Sequence, residues 1–345
     1  MNFKRFTALV LTVVMGAMLL TGCGKNYEKV VTVDGVDFTP TMYLCAQYQS
    51  YNAAWTMVDE DVEDIFGETI EEVSAMEWIH NKTIENLQTY VWVEKTFEEM
   101  GLKLAQEDVE YIEYQVEYYW SYYESYYMDN GIGRDTYQKF VELDYKYDMI
   151  FEALYGEGGE KEPSDKECIK YMNGTYVRIK GFELSTLDRE GEALVDKDME
   201  KIEGFAKDAV ARLNNGEELN TVCSDIKTQA GKWIGDETDY SKAEDHIVDS
   251  YVGKESSAFG TEVSDKAFAL KENGKFVYGK TEDSFVIFQR IPNFADDTEL
   301  ENIKSSLVTE MKGTEFAEEV ETAAAEYEVV EDTAAVKYYS AKNIV

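Results

Sequence analysis

Few side chains in this sequence have a setting in which they could do chemistry. Its 345 residues include four cysteines and two histidines. Cys23 has the most informative context. It closes Leu20-Thr21-Gly22-Cys23, small residues before a thiol, and follows an apolar run from Phe6 to Leu20 behind the basic pair Lys4 and Arg5. That run falls short of the ~20 residues needed to span a bilayer, but it suits the apolar region of a secretory signal peptide. The ending has the pattern of a bacterial lipobox, in which the cysteine receives lipid. Residues 1–22 therefore read as a lipoprotein signal peptide and 23–26 as a lipidated linker. The mature chain is expected outside the cytoplasm, anchored to the cell membrane through Cys23.

The other candidates for chemistry are poorer. Cys45, Cys168 and Cys223 are odd in number and widely spaced, which is not a disulfide framework. They read most simply as buried free thiols, with a single bridge left open. His80 and His246 have no metal-ligand spacing to a cysteine or a carboxylate pair, so neither a metal site nor a Ser/His/Asp triad is supported. No cofactor is implied. Lys and Arg number 33 against 70 Asp and Glu, a net charge of -37. Such a surface is repelled by phosphate, which argues against nucleic acid as a partner. It also avoids anionic lipid, so membrane attachment must come from the acyl anchor.

The remaining chemistry is that of binding, and it is concentrated in one place. Residues 118–127 read YYWSYYESYY, within a helix expected to begin near Gln106. At 100° per residue, Tyr111, Tyr114, Tyr118, Tyr122 and Tyr126 form one stripe. Ile112, Val116, Tyr119, Trp120, Tyr123 and Tyr127 form an adjoining one. Glu110, Glu113, Glu117, Ser121 and Glu124 gather on the remaining side. The apolar arc covers roughly 240°, whereas a helix packed on one neighbour needs only a little over 100°. One aromatic face is therefore spare unless neighbouring helices bury both.

Other elements must hold that helix. "VVTVDGVDF" places Asp34-Gly35 between two β-type runs, a hairpin signal. Thr39-Pro40 reads as the N-cap and first residue of a helix to about Met57. Thr69-Ile70-Glu71-Glu72 has the form of a capping box, opening a helix that ends at Gly101. A further helix is expected over about Arg134 to Tyr155. "YGEGGEKEPSD" (155–165) then marks a boundary. Beyond it Ser164 caps a short helix, and "TYVRIKGFEL" reads as a strand. Helices are expected over Asp196–Asn214 and Glu217–Lys227, a helical turn at "DKAFAL" and a buried strand at "DSFVIFQRI". This order predicts a small α/β unit with a mostly antiparallel sheet. Residues 231–260 lack periodicity and read as a long loop. After a second boundary at "IPNFADD" (291–297) come a helix from Leu300 to about Tyr327 and a strand-like "YEVV". The fold class is α+β, with a helical part split in sequence by the α/β unit.

In that order these stretches resemble the PrsA/SurA-type foldase lipoproteins, in which a parvulin-like peptidyl-prolyl isomerase domain is inserted in a helical chaperone domain. "VVTVDGVDFTPTMY" is similar to the family's entry hairpin and helix, "VRIKGFELS" to the first parvulin strand and "ARLNNGEELNTVCSD" to the helix after it. "KAFALKENGKFVYGKTEDSFVIFQRI" resembles the closing helix and strands, and "FAEEVETAAAEYEVVEDTAAVKYY" the returning helix and strand. The resemblance implies a chaperone domain over 27–154 and 296–345 and a parvulin-like domain with linkers over 155–295.

It also implies where catalysis should reside. The family's two facing histidines fall on Gly181 and Val286, its pocket aromatic on Val263 and a methionine position on Phe259. Phe268 keeps the packing phenylalanine. A polar group of the site is not placed through the long loop, although Asp236, Asp239 and His246 are available there. With glycine and valine at the histidine positions, the resemblance implies a folding factor whose helical domain binds unfolded or nascent secreted proteins on the tyrosine stripe, beside a degenerate isomerase domain. An active isomerase and a passive surface lipoprotein with one protein or cell-wall partner are the alternatives. Whether the chain forms a homodimer is left open.

Overall fold

The computed structural model describes residues 27–236, 238–254, 258–294 and 297–345. The lipobox with Cys23 lies outside them. Along the chain come β1 (Val31–Val33), β2 (Val36–Phe38), α1 (Pro40–Trp55), β3 (Thr69–Ile70), β4 (Val73–Ser74), α2 (Ala75–Glu99) and α3 (Gln106–Asp129). Then follow α4 (Arg134–Tyr155), α5 (Asp165–Thr175), β5 (Tyr176–Ser185), α6 (Asp196–Asn214), α7 (Leu219–Ile234) and β6 (Val248–Gly253). The last are α8 (Gly260–Ala269), β7 (Val277–Lys280), β8 (Ser284–Ile291), α9 (Asp297–Ala324), β9 (Val329–Glu331) and α10 (Thr333–Tyr338). The chain divides into two compact units: one ends at Lys146 and resumes over Glu321–Val345, and the other is Tyr147–Val320. The class is α+β, as the sequence implies.

The first unit is mainly helical. Asp34 and Gly35 both take positive φ, 46° and 82°, which is what a two-residue hairpin between β1 and β2 requires. β1 pairs antiparallel with β2 on one side and with β9 on the other, Val31 facing Glu331. Val31, Val33 and Phe38 point into a core with Met42 and Tyr43 of α1, Leu87 and Val91 of α2, and Phe140 of α4. The amides of Gln47 and Gln88 donate to the carbonyls of Tyr339 (3.0 Å) and Tyr327 (3.1 Å), tying the returning segment to α1 and α2. Pro40 opens α1, but Thr39 makes no side-chain cap and its hydroxyl is buried without a partner.

One helix start differs from the expectation. Thr69 belongs to β3, and Glu71 and Glu72 form a turn of positive φ, so this stretch is a small hairpin and not a capping box. The cap of α2 is Ser74, whose hydroxyl accepts from the Glu77 amide at 3.3 Å. Both sites have the Ser/Thr-x-x-Glu pattern in sequence, Thr69 to Glu72 and Ser74 to Glu77. Burial of Ile70 against Ala75 and Ile79 favours the later one.

The second unit is built on an antiparallel sheet in the order β6-β5-β8-β7. Phe182, Leu184, Phe285 and Ile287 face α6 and α7, against Ile202, Ala206, Val222 and Ile226. Val177, Ile179, Val286 and Phe288 face the other way, against Val263 and Ala267 of α8. β8 is thus apolar on both faces, which is why SFVIF lacks alternation. Two expectations are corrected here. The second helix runs on to Ile234, stopped by Gly235 at φ 78°. The stretch read as a loop over 231–260 contains the end of α7, a 3-10 turn (Ala243–His246) and the edge strand β6. Only Val252 and Gly253 of β6 are buried, so an edge strand with one buried end shows no periodicity.

Candidate functional site

The tyrosine helix resolves into a buried and a free side. Ile112, Val116 and Trp120 of α3 are buried. Trp120 stacks on Tyr127 (5.7 Å, 6°), and Tyr127 lies 4.6 Å from Tyr137 of α4 and 5.5 Å from Tyr48 of α1. Burial raises the Tyr127 and Tyr137 phenols above their ordinary values. Opposite this seam, Tyr111, Tyr114, Tyr118, Tyr122 and Tyr126 are 47% to 65% exposed. Tyr119 and Tyr123, assigned by spacing to the adjoining apolar stripe, are exposed as well, at 45% and 48%. Seven of the eight tyrosines of α3 are thus exposed, and Tyr127 alone joins Ile112, Val116 and Trp120 on the packed side.

The free rings are continuous from Tyr114 to Tyr126, while Tyr111 packs on Tyr145 of α4. Tyr118 lies 6.4 Å from Tyr114, 5.2 Å from Tyr119 and 5.2 Å from Tyr122, and Tyr123 lies 6.5 Å from both Tyr122 and Tyr126. Glu110, Glu113 and Glu117 line a surface groove with Tyr114, Arg134 and Gln138. At the start of α3, Asp108 accepts from the Tyr145 hydroxyl and the Ala105 amide, both at 2.6 Å. These bonds hold its carboxyl below the ordinary range, and in turn push Tyr145 up to about 12. The face is thus presented on a helix fixed at its start by Asp108 and along its length by the Trp120 seam. Chemically it offers large amphipathic surfaces at low entropic cost, suited to varied binding partners and to no covalent step.

The four positions where the resemblance places isomerase groups come together in the second unit. Gly181 on β5, Val286 on β8, Val263 on α8 and Phe259 just before it belong to the same side of the sheet. They do not form a cleft. Val263 and Val286 have no exposed surface, and Phe259 packs partly buried on them. Gly181 is closed more tightly still: a Cβ there would lie 1.8 Å from the Ile287 carbonyl oxygen. No titratable side chain is among the four. Phe268 packs on the same cluster.

The polar residues held in reserve lie elsewhere. Asp236 at the end of α7 accepts from Tyr240 and Thr238, and Asp239 accepts from Ser241. His246 packs edge-on against Tyr240 at 4.8 Å. Nearby, Lys227 donates to the Glu183 carbonyl at 2.9 Å and sits over the Tyr240 ring, and burial lowers its ammonium below the ordinary value. Periodicity could not have indicated this cluster, because β5, α7 and the turn after it meet only through the fold. The free thiols Cys45, Cys168 and Cys223 are all buried. Burial pushes Cys223 up to about 11. Among the described residues no group of His, Cys, Asp and Glu could hold a metal ion.

No protein-family model matches the chain, and no curated protein matches it. Among solved structures it is similar to foldase protein PrsA from Lactococcus lactis, at 12% identity over 92% of this chain and 100% of that one, with a TM-score of 0.38. It is also similar to the PrsA foldases of Streptococcus pneumoniae (14% identity, 82% and 92% covered, TM-score 0.34) and Bacillus subtilis (15%, 83% and 92%, TM-score 0.28). Superposition is loose at such scores, so the fold stands on the strand registers and cores described above.

Proposed function

We propose that this chain is an extracytoplasmic folding factor, lipid-anchored through Cys23, whose helical domain over 27–154 and 296–345 binds unfolded secreted proteins. Residues 155–295 form a parvulin-like domain that has lost catalysis. The observation that carries the reading is the exposed tyrosine face of α3, seven rings wide, on a helix whose opposite side is buried. Loss of catalysis is supported by the closed apolar packing at Gly181, Val263 and Val286. An isomerase holds an X-Pro bond out of plane in a shaped pocket, against a barrier of ~18–20 kcal/mol, and a filled core offers no such pocket.

The test is a holdase assay with several unrelated unfolded proteins. The wild-type protein should suppress aggregation of most of them, and replacing Tyr118 and Tyr122 with Ser should abolish much of that effect. Suppression confined to one protein would instead indicate a surface lipoprotein with a dedicated partner. Anchoring is read separately: Cys23→Ser should leave precursor unprocessed or protein shed, and a variant still quantitatively processed and membrane-bound would rule the anchor out.

A further inference from the structure

We propose that the α3 face selects extended cationic segments of its clients, stretches of unfolded polypeptide bearing Lys or Arg among apolar residues; this rests on the client-binding reading above. The first observation is charge. α3 carries seven carboxylates over its length and no Lys or Arg. The second is that these carboxylates are mostly unneutralised. Among the described residues Glu117 pairs with Arg134 at 3.2 Å, while Glu110, Glu113 and Glu124 have no ion-pair partner. The third is placement. Glu110, Glu113 and Glu117 share a groove with Tyr114, so carboxylates run along the border of the ring face.

A Lys or Arg side chain matches both halves of that surface. Its methylene stem covers apolar area while its head stays polar, and the head can sit over a tyrosine ring or reach a carboxylate beside it. A segment rich in Asp or Glu meets like charge along the whole helix. A neutral apolar segment can use the rings but gains nothing from the carboxylates. The net charge of -37 brings cationic chains towards the molecule generally, so the proposal concerns preference at α3 beyond that background.

The test uses labelled unstructured peptides of one length and one apolar content, with Arg, Gln or Glu at the same positions, titrated against the protein by fluorescence anisotropy. At low salt the Arg peptide should bind about ten-fold or more tighter than the Gln peptide, and the margin should shrink at ~0.5 M salt, where screening is strong. Changing Glu113, Glu117 and Glu124 to Gln should erase the margin. Changing the exposed Glu192, Glu200 and Glu282 of the second unit to Gln should leave it. If this control removes the margin equally, the preference belongs to overall charge and the proposal fails. Equal binding of Arg and Gln peptides, both weakened by Tyr118→Ser with Tyr122→Ser, would overturn charge selection and leave the tyrosine face standing. If the tyrosine pair alters no peptide's binding, the client-binding reading falls with it.

Discussion

Gly181 shows how one absent atom can decide what a site is. β5 and β8 approach so closely there that a Cβ would meet the Ile287 carbonyl oxygen at 1.8 Å. The glycine is therefore a packing requirement of this sheet, and an imidazole cannot be restored by substitution at that position alone. Gly181→Ala should lower stability by the ~1–3 kcal/mol typical of overpacked cores, read by denaturant unfolding, and Gly181→His by more. Neither should accelerate cis/trans exchange of a proline peptide over its uncatalysed tens to hundreds of seconds. A stable Gly181→His protein with isomerase activity would show that the pocket is intact and only the side chain is missing.

At the scale of elements, α3 and α2 make the clearest claims. On α3, Trp120 and Ile112 are buried while Tyr118 and Tyr122 are exposed. Tyr118→Ser with Tyr122→Ser should change stability by no more than about 0.5 kcal/mol per site, as surface changes do. Trp120→Ala should cost about 3–5 kcal/mol. Thermal unfolding of the two variants separates a binding face from a core face on one helix, and similar losses in both would make the tyrosines core. On α2, Ser74 caps and Thr69 does not. Ser74→Ala should cost about 1 kcal/mol, whereas Thr69→Ala, on an exposed position of a two-residue strand, should cost little. The reverse order would reinstate the earlier helix start.

At the scale of the molecule, the first unit is completed by the end of the chain. β9 pairs with β1, and the carbonyls of Tyr327 and Tyr339 accept from Gln88 and Gln47. Asn130, which caps α3, exchanges two hydrogen bonds at 3.0 Å with the backbone of Val345. Deleting Glu321–Val345 removes a strand and leaves buried amides without acceptors, a loss of about 1–3 kcal/mol for each such group. Limited proteolysis of the truncated protein should cut within residues 27–146 while the second unit resists. Equal resistance of both parts would mean that the N-terminal segment holds its fold without the return.

The sequence by itself determined most local features: the Asp34-Gly35 hairpin, the span of α6, the Ser164 cap and the buried strand at SFVIF. Each depends on neighbours in sequence, through turn conformation, helical period or a run of β-branched and aromatic residues. It also determined that α3 has more apolar surface than one packing partner requires. Only the tertiary structure decided which tyrosines are free, because Tyr119 and Tyr123 are apolar by type and lie on the exposed side of a seam set by Trp120, Tyr127 and Tyr137. The same holds for β6, whose place at the sheet edge comes from its pairing with β5 and not from any alternation of its own. Closure around Gly181, Val263 and Val286 was likewise invisible along the chain, since the spacing between β5 and β8 is set by long-range pairing and by the α8 side chains packed above them.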